Sequence, residues 1–268
     1  MPPSDRLMRR TIDELTIEDE DSFCHVGIYA DLKEVLRRAN YAFRVLPRGR
    51  HTRADRALLL NLTFWSADVG GDVLAEDRVP ADVVAHAAWH HLAAQALARP
   101  PPAPLSVEAL FLGEAVASAF DVYLVGRLLG RAPRSTFLET QVPAMAATAD
   151  AAGLSAAGFE ALLRSFAAAP ERAFADLREL LTDATAALFA CKGSEGALAS
   201  LAAFDRRPLS ALLHRHELSN WVLYARANPG SARPDARARK VDRALRRARS
   251  PLDWLASNWI SPKLNESP

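Results

Sequence analysis

Between Ala81 and Gly130 the chain carries two long apolar segments, and ionisable side chains sit inside both. The first, AHAAWHHLAAQAL, holds His86, His90 and His91; the second, SVEALFLGEAVASAFDVYLVGRLL, holds Glu108, Glu114 and Asp121. Arg99-Pro100-Pro101-Pro102-Ala103-Pro104 separates them and reads as a stiff connector that turns the chain back without folding itself. Segments this long with no internal proline predict helices, opened by Pro80 and Asp82 in one case and by Leu105 or Ser106 in the other, with Gly130 closing the second. Glu108, Glu114, Asp121 and Arg127 interrupt the apolar run Leu105–Leu129. Carboxylates are costly at membrane depth, so that run reads as a buried helix and no membrane contact is expected.

The rest of the chain points to the same class. A helix is predicted from Tyr29 to Leu46, with Leu32, Val35, Leu36, Ala39 and Phe43 recurring at three and four and Pro47-Arg48-Gly49 ending it. Beyond Pro133 the sequence is dominated by alanine, which favours helix and permits close packing. Breaks are expected near Pro143, Gly153, Pro170 and Gly193, with Pro170 and Pro208 each opening a helix. Leu58–Trp65 is a short apolar run that periodicity leaves open between helix and strand. The expectation is a mainly α, single-domain multi-helix bundle with at most a minor strand near 58–65. Residues 1–24 would form a flexible arm, 25–228 the helical domain, and 229–268 a basic tail with a Trp-containing docking segment around Trp254 and Trp259.

With 33 basic and 32 acidic residues among 268, the formal charge is +1, so nothing in the whole-chain balance favours nucleic acid or an anionic membrane. Two cysteines, Cys24 and Cys191, are too few for a disulfide scaffold, and the charged start has no apolar run of the secretory kind. A cytoplasmic location is the expectation. The cluster Arg48, Arg50, His51, Arg53 and Arg56 could hold an anion such as phosphate or a carboxylated substrate, but reads first as a basic loop pairing with the acidic run at Glu18–Asp21.

Ionisable groups inside apolar helices are expensive to bury unless they are paired or coordinate something, which makes the two segments the place to look for chemistry. At about 100° per residue, His86 and His90 lie within about 40° of each other and can grip one ion, whereas His91 points about a quarter-turn away. Glu114 and Asp121 are two turns apart and about 20° apart in projection. Glu108 falls in the first turn, where the free amides already explain a carboxylate. If the two helices form an antiparallel hairpin, His86, His90, Glu114 and Asp121 converge on a mononuclear site suited to Zn, Fe or Mn. Asp121 would serve there as ligand or as the group orienting an imidazole. His214, His216 and Glu217 could add a ligand, although such groups more often cap or pair on a helix surface.

In HAAWH and LGEAVASAFD, the residues His86, His90 and Glu114 resemble the ligand spacing of the zincin metallopeptidases, which carry an HExxH helix and, in the thermolysin-like branch, a third ligand glutamate on the next helix. That resemblance implies zinc and hydrolysis. The match is confined to these three positions, and Ala87 stands where the family carries its general-base glutamate. A ferritin-like di-metal bundle needs Glu-x-x-His pairs, which the two segments lack. No serine elbow, phosphate loop or dinucleotide fingerprint is present. Two functions therefore stay open. One is a metal-dependent hydrolase or oxygenase-like enzyme. The other is a non-enzymatic helical adaptor or structural protein whose tail, 231–268, meets a protein partner or, less favoured, nucleic acid.

Overall fold

The structure, a computed structural model, describes residues 7–46, 73–98, 105–132, 134–227 and 234–265. The chain is mainly helical, a multi-helix bundle with a minor β component. The run Leu58–Trp65, the basic cluster at 48–56 and the proline connector lie outside the described residues. Contacts group the chain into two compact units, Met1–Ala96 with Ala256–Pro268, and Leu97–Leu255.

In the first unit, residues expected to form an arm carry strands β1 (Met8–Thr11) and β2 (Thr16–Glu18) and a short helix α1 (Glu20–Phe23). Helix α2 (Gly27–Arg38) buries Tyr29, Leu32, Val35 and Leu36. It stops well before the expected Leu46. Asn40 takes a left-handed conformation at φ 48°, the Asn40 amide donates to the Arg37 carbonyl at 3.0 Å, and the Tyr41 amide donates to the Leu36 carbonyl at 2.9 Å. This is a Schellman ending, and asparagine tolerates the left-handed residue that it requires. Phe43, expected on the helix stripe, is instead fully buried from strand β3 (Ala42–Val45).

Strand β3 pairs antiparallel with β1 (Met8 opposite Val45, Thr11 opposite Ala42) and parallel with β4 (Val73–Leu74). A second, two-stranded parallel sheet joins β2 to β5 (Arg78–Pro80), with Thr16 opposite Arg78. Pro80 ends β5 and hands the chain directly to α3 (Ala81–Leu97), on which Ala81, Val84, Ala85, Ala88 and Trp89 are fully buried.

The second unit is organised on α4 (Val107–Leu128), apolar all round and buried along nearly its whole length. Among the described residues it is one helix long and apolar enough to cross a membrane, and 83% of its most apolar window is buried within the chain. Around it run α5 (Thr136–Ala151), α6 (Ala156–Ala168) and α7 (Pro170–Ala190), followed by α8 (Ser194–Ala202), α9 (Arg215–Ala227), α10 (Ala236–Arg247) and α11 (Pro251–Leu255). The chain closes with a π-helical turn, Ala256–Ile260, and α12 (Ser261–Asn265), both in the first unit. Helices α5, α6, α7 and α10 all contact α4. Pro170 opens α7 as expected. Pro143 does not break the chain but lies inside α5, and the helix expected to start at Pro208 starts at Arg215, after a left-handed Leu209 at φ 66° and a short 3-10 turn.

Four side chains lock the starts of α4 and α10 to each other. The Ser106 hydroxyl accepts from the Ala109 amide at 3.0 Å and donates to Asp235 at 2.7 Å. Asp235 in turn accepts from the amides of Arg237 and Ala238 at 2.9 and 3.1 Å, capping α10. Glu108 accepts from the Asp235 amide at 3.0 Å and from the Arg239 guanidinium at 2.6 Å. The first-turn carboxylate thus serves a partner helix as well as its own dipole.

The arginines of the tail also pair within this unit. Arg246 donates to Asp242 at 2.8 Å and to Asp183 at 2.7 Å, and Arg207 binds the other Asp183 oxygen. Arg178, fully buried, donates to Asp242 at 2.7 Å. Burial lowers the Arg178 pKa, and Asp242 opposes the shift. Leu252, Leu255, Trp259 and Ile260 are buried, so the Trp-containing segment docks on the chain itself.

Two expected outcomes follow from this packing. A Cβ on Gly126 would stand 2.4 Å from the Phe166 carbonyl oxygen and 2.9 Å from Pro170 Cβ. Gly126→Ala gains about 1 kcal/mol in helix propensity, but overlap with backbone costs about 1–3 kcal/mol or more. A net loss in urea-denaturation stability is expected, larger for Gly126→Val. The second concerns acid. Burial alone would raise the Asp183 pKa, but hydrogen bonds from Arg246 and Arg207 outweigh it and hold the carboxyl below the ordinary aspartate range. The unfolded chain therefore binds this proton more readily, so the contribution is present above about pH 4 and is lost as pH falls through the lower folded value. Unfolding curves at pH 6 and pH 3 should show a smaller acid loss for Asp183→Asn than for the native chain.

Candidate metal centre

Helix α3 places His86 and His90 one turn apart, with ring centroids 4.8 Å apart and the Nε2 atoms 3.1 Å apart. His90 is buried and His86 half-buried. Two explanations fit a 3.1 Å nitrogen–nitrogen distance. Without an ion, one Nε2–H donates to the other Nε2. With an ion at the usual distance of about 2.05 Å from each nitrogen, the pair subtends about 100° at the metal, between octahedral and tetrahedral angles. The helix delivers this geometry because i and i+4 side chains stand one above the other.

Glu114 lies near the middle of α4 and is only 8% exposed. The Ser118 hydroxyl, one turn on, donates to Glu114 Oε1 at 3.3 Å and helps fix the carboxylate's orientation. Ser118 is not among the site residues expected from the sequence; its i, i+4 spacing from Glu114 is the signal that could have shown it. His86, His90 and Glu114 each offer one ligand atom, and these atoms all lie within 4.8 Å of one another. This is a His/His/Glu cluster able to coordinate a divalent metal, with two of its three members buried.

The other candidates fall elsewhere. Asp121 is not in the cluster; it lines a cavity of about 180 Å³ with Ser118, Gln141, His214, Glu217 and Trp221. His214 Nδ1 is 4.0 Å from Glu217 Oε1 and both are well exposed, the arrangement of a surface pair. The His216 side chain is outside the described residues. His91 diverges from the pair as its phase predicts. Its ring stands edge-on to Tyr41 at 5.5 Å, its Nε2 is 2.7 Å from the Gln95 amide nitrogen, and burial, with Lys263 nearby, lowers its pKa. Ala87, the position of the missing base, is buried. Cys24 is exposed, while Cys191 sits at the end of α7 with its sulfur 3.1 Å from the Ser200 hydroxyl; neither belongs to the cluster.

No protein-family model, curated protein or solved structure matches this chain.

Proposed function

We propose that the chain is a metalloprotein in which His86, His90 and Glu114 hold a single divalent ion, and that this ion is the centre of an enzymatic reaction. The observation that carries the reading is the convergence of two imidazoles and a carboxylate within 4.8 Å. A carboxylate that is 8% exposed on an otherwise apolar helix is costly without a compensating charge, and a cation supplies one. Two nitrogens and one carboxylate leave coordination positions for water or substrate. Zinc on such a set lowers the pKa of bound water and polarises a carbonyl, whereas ferrous iron on a two-histidine, one-carboxylate set binds dioxygen. With alanine at position 87, hydrolysis here would need a proton acceptor from outside the helix that carries the histidines.

A second reading has its own support. The His86–His90 contact and the Ser118–Glu114 hydrogen bond satisfy polar atoms without an ion. On that reading the cluster is a structural polar network and the chain is an adaptor.

Metal analysis separates the two. Protein purified without an affinity tag, then reconstituted and desalted, is expected to retain about one ion per chain, with zinc or iron distinguishing hydrolytic from oxygen chemistry. His86→Ala, His90→Ala and Glu114→Gln should each lose it, while Asp121→Asn retains it. Metal content near zero in the native chain after loading with zinc, ferrous iron or manganese would leave only the structural network.

A further inference from the structure

A second cavity lies entirely within the second unit and shares no residue with the metal cluster. It encloses about 460 Å³ among α4, α7 and α10. Its apolar lining includes Val107, Phe111, Leu112, Ala186, Phe189 and Ala238, and Phe111 and Phe189 meet edge to face at 6.0 Å. Its charged lining is Arg239, Arg243 and Arg246 with Glu108, Asp183 and Asp242, and the carboxylates are shared unevenly among the arginines around them. Arg239 is taken by Glu108, Arg246 by Asp183 and Asp242, Arg207 by Asp183 and Arg178 by Asp242. Among the described residues, Arg243 lines the cavity and has no carboxylate partner.

We infer that this cavity binds a small amphiphilic carboxylate, whose apolar body lies on Phe111, Leu112, Ala186 and Phe189 and whose head group pairs with Arg243. The size falls in the range of small-molecule sites, which are mostly apolar with a few fixed polar groups. The charge sets the sign of the ligand. An amine would meet the unpartnered Arg243 guanidinium, and a neutral alcohol would leave it unanswered, whereas a carboxylate matches the guanidinium fork. The paired arginines are already engaged by carboxylates in fixed geometry, so the selectivity rests on one side chain.

Calorimetric titration of the full chain with decanoate, decanol and decylamine, each below its aggregation concentration, tests this directly. Decanoate should bind saturably and about tenfold more tightly than decanol, about the value of one charge-assisted hydrogen bond at a half-open site, and decylamine should bind most weakly. Arg243→Ala should bring decanoate down to the level of decanol without changing the melting temperature. Ala186 is exposed, so Ala186→Trp should fold normally, fill the cavity and abolish binding of both. Equal affinity for acid and alcohol in the native chain, a preference that survives Arg243→Ala, or binding that survives Ala186→Trp would each overturn the proposal, as would the absence of saturable binding.

Discussion

A helix that is apolar on every side cannot lie on a surface; it has to be enclosed, and the second unit is built around that requirement in α4. Enclosure explains the number of helices that contact it and the way they approach. Gly126 lets the Phe166 carbonyl come to a distance that no side chain would allow, so α6 and the start of α7 reach the backbone of α4 itself. The amides at the start of α4 cannot be left to water in such a setting. Ser106, fully buried, serves one of them and donates a hydrogen bond to Asp235, which caps α10. The two helix starts are therefore specified together, and Glu108 ties them a second time through the Asp235 amide and Arg239.

The same requirement determines where charge can be kept. Along α4 the buried carboxylate is Glu114, while Glu108 and Asp121 reach less enclosed positions. On α7 and α10 the charges form an alternating chain, Arg178 to Asp242 to Arg246 to Asp183 to Arg207, each carboxylate bridging two guanidiniums. Arg178 is wholly buried, where an unpaired charge would be prohibitive, and its tie to Asp242 fastens α10 to α7. A segment that looks in composition like a solvated basic tail is thereby folded into the unit, and only part of its charge remains for other work.

What could be read from the sequence follows the physics of each signal. The helices α3 and α4 were legible because long uninterrupted apolar runs between proline and glycine leave no competing structure. The end of α2 was not, because Leu32, Val35, Leu36, Ala39 and Phe43 keep helical spacing across it; a single left-handed asparagine ends the helix, and Phe43 then serves a strand equally well. Pro143 was read as a breaker because it lacks an amide proton, yet α5 continues through it. The strands β1 to β5 are two to four residues long and depend on partners distant in sequence, such as Thr11 with Ala42 and Thr16 with Arg78, which periodicity cannot report. At the site, helical phase identified His86 and His90 as a pair and set His91 apart, because those relations are local to one helix. Phase alone did not separate Glu114 from Asp121, since they project within about 20° of each other. Two turns of rise, about 10 Å along the axis, make them different places.

That axial distance also bears on the chemistry available at the cluster. Asp121 lies two turns from Glu114 and lines a separate cavity, and the buried Ala87 beside His86 supplies no base. The acidic group present is Glu114, and Ser118 spends its hydroxyl proton orienting that carboxylate. On the proposed reading, an ion held there would itself do the activating, through bound water or a polarised substrate oxygen, and the protein's part would be to set and orient the donors. The two histidines meet the angular condition through helix geometry alone, at 3.1 Å between nitrogens. The Glu114 carboxylate is oriented by one hydrogen bond from Ser118 and by the burial of the helix that carries it.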